Sequence, residues 1–130
     1  MKAVADSRQI IAAIVVEYWR LLQSFERIID LVTPDAKARF IAQARYSAGR
    51  LEQLTQEAGL RIVVFDGVAF EPNLPAVAIN ADDFSSIEEL IVERTIEPAV
   101  IYDTKVVLMG RVYLTKAGRE AEEIPNVSRC

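Results

Sequence analysis

The chain has 130 residues, of which 52% are hydrophobic and 26% are charged, and its formal net charge is −4. This composition is too apolar and too weakly charged for a disordered chain, and the length is enough for one domain with its own core. A general nucleic-acid-binding domain would usually be basic, so we expect no nucleic-acid partner.

The use of cysteine and histidine excludes several kinds of site. The one cysteine, Cys130, cannot form an internal disulfide, which fits a reducing compartment. The chain has no histidine, which is the commonest general base and, together with cysteine, a usual zinc ligand. Ser-His and Cys-His nucleophile pairs are therefore excluded, and we expect no metal and no cofactor.

An apolar run at residues 10–16 is the first candidate for a targeting or membrane segment. Asp6 precedes this run, Glu17 and Arg20 follow it, and no small-residue cleavage site is present. The run is also too short to span a bilayer. We therefore expect a cytoplasmic protein with no membrane partner.

A first helix is predicted from about residue 6 to residue 32. Asp6 or Ser7 can cap its start, and residues 33–35, Thr-Pro-Asp, end it and begin another helix. Seven apolar side chains in this helix are spaced alternately three and four residues apart, which is a strict heptad pattern. This predicted seam consists of Ile11, Ile14, Tyr18, Leu21, Phe25, Ile28 and Val32.

Further apolar residues widen the seam. Val15, Leu22 and Ile29 each follow a seam position, and three apolar positions per heptad are typical of a helical bundle. A second helix is predicted from about residue 35 to residue 58, with Gly59 as its C-terminal stop. Since the loop between the two helices is short, residues 1–59 are predicted to form an antiparallel helical hairpin.

A hairpin of two helices cannot bury so wide an apolar face by itself. Burying a large apolar side chain contributes about 1.5–3 kcal/mol, whereas ordering each backbone residue costs about 1–2 kcal/mol. The seam could be covered by the second half of the same chain or by the hairpin of a second chain. We favour the second possibility, a homodimeric four-helix bundle in which the seven seam residues form the dimerisation face.

The second helix also carries scattered positive charge. A solvated face is the simpler interpretation of this pattern, and a docking strip for an acidic partner is the alternative. The residues concerned are Lys37, Arg39, Arg45 and Arg50.

Residues 60–117 are predicted to form a small, mostly antiparallel β domain that binds a partner, which makes the fold class α+β. The apolar period changes to that of strands after residue 59, and Asp66-Gly67 predicts a two-residue hairpin between strands at 61–65 and 68–70. A second hairpin is predicted at Asp103-Thr104, followed by one strand over 105–114. Gly110, inside that strand, predicts a bulge or a close backbone approach. Residues 118–130 are predicted to be a flexible tail.

Carboxylates are the best candidates for chemistry in this chain. Paired carboxylates can hydrolyse glycosides or bind magnesium. The carboxylates of this chain occur in predicted turns and helix caps, so we expect them to have structural roles and the protein not to be an enzyme. Neither a Walker loop nor a G-x-G-x-x-G motif is present. The carboxylates are Asp66, Glu71, Asp82, Asp83, Glu88 and Glu89.

The order of several short motifs resembles the GrpE family of nucleotide exchange factors for Hsp70. Residues 22–30 read L-x-x-F-E-R-I-I-D, residues 51–59 read L-x-x-L-x-x-x-A-G, and residues 67–74 read G-x-x-F-E-P-N-L. The closing segment, residues 101–102 followed by 105–112, is similar to the last conserved stretch of that family. The resemblance covers most of residues 17–115.

The resemblance implies a homodimeric co-chaperone that promotes ADP release by binding the open form of an Hsp70-type ATPase domain. The helices would pair with those of a second protomer, and the β domain would contact the ATPase. The residues expected to face the partner are Phe70, Glu71, Pro72, Leu108, Met109 and Arg111. A structural role is the alternative for each of them, with Phe70 in the core and Pro72 in a turn, and Arg111 and Glu71 are the best exposed candidates.

Departures from the family pattern support an alternative. Leu108 and Met109 replace an Arg-Pro pair, Ile101 replaces a glycine, Glu71 replaces an aspartate, and residues 75–77 replace a His-Glu-Ala run. We also expect the long N-terminal coiled coil of the family to be missing or reduced to the start of the first helix. The alternative is a dimeric adaptor or scaffold protein with a GrpE-like fold and no exchange activity.

Overall fold

The computed structural model describes residues 2–85 and 87–117, with side chains from residue 7 onward. It confirms an α+β chain in which two antiparallel helices precede antiparallel-rich sheets. The predicted tail at 118–130 lies outside the described residues. The helices are α1 (Lys2–Ile29) and α2 (Pro34–Glu57), and the strands are β1 (Leu60–Val63), β2 (Ala76–Ala78), β3 (Leu90–Glu97), β4 (Ala99–Tyr102), β5 (Lys105–Leu108) and β6 (Gly110–Lys116).

Local sequence explains where the helices begin and end. Thr33 has extended backbone geometry, with φ −66° and ψ 153°, and Pro34 occupies the first turn of α2, where its missing N–H costs nothing. At the other end, the Gly59 N–H donates to the carbonyl of Gln56 at 2.9 Å. Gly59 has a φ of +77°, which glycine adopts without strain.

The described chain separates into two compact units, and it enters each unit twice. The first unit contains residues up to Ile62 and residues 100–108. The second contains residues 63–99 and those from Met109 onward. Beyond the helical hairpin, the first unit therefore includes strands that follow residue 59 in the sequence.

In the first unit, the helical hairpin packs with a sheet of strand order β1-β4-β5. The turn at Asp103-Thr104 joins β4 to β5 as predicted, and Asp103 has a φ of +55°. The Arg8 guanidinium lies 3.6 Å from the centre of the Tyr102 ring. The buried core of this unit consists of Ala12, Val15, Val16, Leu51, Leu60 and Val100.

In the second unit, β6 is the central strand of the order β2-β6-β3. It is parallel to β2 and antiparallel to β3. The Asn80 side chain extends this pairing, since it accepts from the Leu114 N–H at 2.8 Å and donates to the Leu114 carbonyl at 3.0 Å. The buried core of this unit consists of Phe65, Ala76, Val92, Ala99, Val112 and Leu114.

The predicted pairing of the strands at 61–65 and 68–70 is wrong. Asp66-Gly67 does form a turn, in which the Val68 N–H donates to the Phe65 carbonyl at 2.9 Å, but residues 68–70 pair with β3 and β1 pairs with β4. Thr95 explains this choice. Its N–H donates to the Asp66 carboxylate and its hydroxyl accepts from the Phe65 N–H, both at 2.9 Å, so the turn is held against β3.

The predicted strand over 105–114 is two strands. Strand β5, which pairs with β4, ends before Met109. The next strand, β6, pairs with β2 and β3 in the second sheet. Gly110 lies at this change, and its N–H donates to the Pro75 carbonyl at 2.9 Å. The predicted close approach is confirmed, because a Cβ on Gly110 would lie 2.7 Å from Phe65 Cε2 and 3.1 Å from the Glu97 carbonyl oxygen.

Replacing Gly110 should therefore destabilise the protein. We expect Gly110→Ala to lower the free energy of unfolding by about 1–3 kcal/mol, the usual cost of overpacking a core. Urea unfolding followed by circular dichroism measures this value. Gly49→Ala is the matched control, because its added Cβ would have no described atom within 4 Å apart from the nearby backbone of its own helix. Alanine in the interior of α2 should stabilise by about 0.5–1 kcal/mol. An unchanged midpoint for Gly110→Ala would contradict the close packing against Phe65.

Candidate functional site

One face of α1 carries large apolar side chains that are exposed in the part of the chain that the structure describes. Ile10 and Ile14 are each 60% exposed, Leu21 is 71% exposed and Ile28 is 54% exposed. Their spacings of four, seven and seven residues place them in one line along the helix. Tyr18 and Phe25, both half-buried, lie beside this line. We call these six side chains the α1 strip.

The predicted seam falls largely on this strip, and none of its seven residues is buried. Ile11, Ile14, Leu21 and Ile28 are exposed, and Tyr18, Phe25 and Val32 are half-buried. Whether a second chain covers the seam stays a prediction.

The opposite side of α1 is the side that the chain buries. Ala12 is fully buried, Val15 is 7% exposed and Val16 is 6% exposed. These three residues share a core cluster with residues of β1, β4 and α2. The chain's own sheet therefore covers a different side of α1 from the predicted seam.

A groove of about 530 Å³ runs between the strip and α2. Ile14, Tyr18, Leu21 and Phe25 line it from α1, and the wall on α2 includes Ser47. Two contacts fix its aromatic walls, because Tyr18 donates to the Ser47 carbonyl at 3.1 Å and Phe25 lies edge-on to Phe40 with ring centres 6.0 Å apart. Such fixed side chains lose little conformational freedom when another surface packs against them.

Polar residues near the strip are paired with one another. Glu17 and Arg20 are 3.4 Å apart, and Asp30 and Lys37 are 3.7 Å apart. Each pair is exposed and contributes little to stability. A continuous apolar strip with a charged border is typical of a protein–protein contact surface.

The residues predicted to face a partner differ in their solvent exposure. Phe70 is half-buried and packs against the core of the second unit, whereas Leu108 is half-buried and packs against the core of the first. These two side chains support the fold. Glu71 and Pro72 are exposed in the loop before β2, and Met109 is 47% exposed.

Arg111 lies in a different setting from residues 70–72. In the sheet, Arg111 is paired with Val77 of β2 on one side and with Glu97 of β3 on the other. Its guanidinium is 4.0 Å from the Glu97 carboxylate. Thus Arg111 belongs to the solvent-facing side of the second sheet.

Sequence reasoning missed the other members of that sheet face. Val77 is 51% exposed, and the Arg94 guanidinium lies 5.3 Å from the centre of the Tyr113 ring. The signal was present in β6, where Arg111 and Tyr113 alternate with the buried Val112 and Leu114. An aromatic ring, an aliphatic side chain and paired charges on one sheet face can contact another protein, but they form no catalytic constellation.

Two of the six predicted carboxylates have a structural partner, and two others lie in a turn. Asp66 accepts from the Thr95 backbone, Asp82 and Asp83 lie in a 3₁₀ turn, and Glu88 is 3.4 Å from Lys116. The second carboxylate oxygen of Glu88 is buried, and no described residue forms a hydrogen bond with it. Within residues 2–85 and 87–117, no group of three or more metal-ligating side chains is placed to hold an ion.

Similarity to characterised proteins gives no further guide to function. Comparison with protein-family models, curated proteins and solved structures yields no match for this chain. Neither of the two helices in the described part of the chain has the length and apolar content needed to cross a membrane. Function therefore has to be inferred from the surfaces themselves.

Proposed function

We propose that this protein is a homodimeric, GrpE-like co-chaperone that promotes ADP release from an Hsp70-type ATPase. The α1 strip is the observation that carries the proposal. Its four aliphatic side chains are 54–71% exposed, so burying the remaining surface of each would contribute about 1–2 kcal/mol. A second copy offers the same apolar line in return. Isologous pairing of this kind is the commonest way in which soluble chains form dimers.

Two antiparallel hairpins that pack through their strips form a four-helix bundle. The groove between the strip and α2 would receive side chains such as Leu21 from the second copy. Tyr18 and Phe25 are already held in place by Ser47 and Phe40, so this packing requires little ordering. The bundle thereby uses the apolar face that a single chain leaves in water.

The order of elements supports the rest of the proposal. A helical hairpin is followed by small antiparallel-rich sheets, in the order of the motifs that resemble the GrpE family. The solvent-facing side of β6, with Arg111 as its exposed charge, would contact the ATPase domain. Exposed Glu71, Pro72 and Met109 would extend this contact, while Phe70 and Leu108 would act through the cores they support.

Such a protein needs no catalytic group. It would bind the open form of the ATPase domain more tightly than the closed form, and this difference in affinity would speed the loss of ADP. The alternative is a dimeric adaptor without exchange activity. The observation that favours the alternative is the packing of Leu108 into a core, since the family resemblance places that position in the partner-facing set.

Placing a charge in the strip should separate the dimer. We expect Leu21→Glu to be monomeric at concentrations where the unmodified chain is dimeric, because burying the new carboxylate against apolar side chains would cost several kcal/mol. Native mass spectrometry measures the populations. Ile87→Glu is the control, because Ile87 is 89% exposed and lies outside the helices. If both variants keep the dimer, the strip is not its interface.

ADP release tests the activity itself. We expect the unmodified chain to accelerate release of a fluorescent ADP from an Hsp70 of the same cell. Arg111→Glu should reduce the acceleration about tenfold or more, since reversing a contact charge typically costs more than 1.4 kcal/mol. Circular dichroism should show an unchanged fold, because the Arg111 side chain is 54% exposed and its ion pair with Glu97 is long, at 4.0 Å. No acceleration of any Hsp70 from that cell, with a dimer present, would leave the adaptor as the function.

A further inference from the structure

The sheet of the first unit has an edge beside the helices. In the order β1-β4-β5, β1 pairs with β4 on one side and has no strand on its other side among the described residues. Backbone N–H and C=O groups on such an edge can pair with an added strand. Arg61, in the middle of β1, is exposed, whereas Leu60 is buried.

A groove of about 450 Å³ opens between β1, α1 and α2. Its volume lies in the range of ligand-binding clefts, about 300–1,000 Å³. Leu22 and Leu51 contribute apolar surface, and the half-buried Trp19 lines the side formed by α1. Trp19 lies on the side of α1 away from the strip, at 100° per residue. Leu22 lines both this groove and the groove beside the strip, so the two grooves adjoin at this side chain.

The charged side chains that line the groove form no ion pair within the described part of the chain. Glu26 of α1 and Glu52 of α2 both line it and are exposed, and neither makes an ion pair with another described residue. One guanidinium, that of Arg61, also lines it. These two carboxylates and one guanidinium give the described lining of the groove a net negative charge. A basic ligand would complement this charge.

We propose that this groove and the free edge of β1 bind an extended peptide segment of a partner protein in which apolar and basic residues alternate. The peptide backbone would pair with β1 as an added strand. Its apolar side chain would lie over Leu22 and Leu51, and its basic side chains would lie near Glu26 and Glu52. A helix in the same groove would leave the edge of β1 unpaired, so an extended segment fits the observations better.

The test uses a short capped peptide that alternates valine and lysine. Trp19 is the one tryptophan in the chain, so its fluorescence reports directly on the groove. We expect the peptide to change this emission in a saturable way. A second version of the peptide carries methyl groups on the backbone nitrogens that would face β1. It should bind about tenfold more weakly or worse, because it loses the hydrogen bonds to β1.

Charge selection is tested separately. The double variant Glu26→Lys, Glu52→Lys should weaken binding of the lysine peptide about tenfold or more and strengthen binding of a valine–glutamate peptide. The double variant Asp82→Lys, Asp83→Lys is the control for overall charge, since it changes the net charge by the same amount and both residues are exposed in the second unit. The affinity of this control variant for the lysine peptide should match the affinity of the unmodified chain.

Several results would overturn the proposal. Absence of a Trp19 response at millimolar lysine peptide would exclude the site, and equal binding of the methylated peptide would exclude pairing with β1. Equal binding of the lysine and glutamate peptides would exclude the role of Glu26 and Glu52. None of these measurements involves an Hsp70 or the dimer, so their failure is distinguishable from failure of the proposed co-chaperone function.

Discussion

The structure depends on the fact that α1 is apolar on two opposite sides. The side that contains Ala12, Val15 and Val16 is buried in the core that α1 forms with α2 and the sheet β1-β4-β5. The other side, the α1 strip, lies in water, with Leu21 71% exposed. A helix that is apolar all round is normally buried on all sides. The first side therefore explains how the chain folds, and the second is the reason to infer a partner.

Close contacts determine how the strands divide between the two units. Gly59 has a φ of +77°, which allows the chain to turn at the end of α2. The Tyr102 ring packs close to it, because a Cβ on Gly59 would lie only 3.1 Å from that ring. Thr95 and Asp66 hold the turn at residues 65–68 against β3. Gly110 lets Phe65 pack against the start of β6. Each contact joins residues far apart in sequence, so each unit is stabilised by non-local interactions.

Features set by local sequence could be predicted. The two helices, the turn at Asp103-Thr104 and the close approach at Gly110 follow from periodicity, turn chemistry and the lack of a side chain. Strand partners could not be predicted, because the Thr95 contacts with Phe65 and Asp66 span about thirty residues and have no periodic signal. The heptad pattern identified the exposed strip but not the buried side of α1, since Ala12 is small and gives a weak signal. In the candidate site, residue type separated the exposed Arg111 and Glu71 from Phe70, which supports a core. It could not show that Leu108 packs against a core while its neighbour Met109 is exposed.

The most direct test of the inferred partner is the mass of the unmodified chain by sedimentation equilibrium over a series of dilutions. Pairing through the α1 strip predicts a mass of twice 14.5 kDa that falls toward the single-chain value only on strong dilution. A mass of 14.5 kDa at every concentration would contradict the account, because the strip would then lie in water without a second copy to cover it.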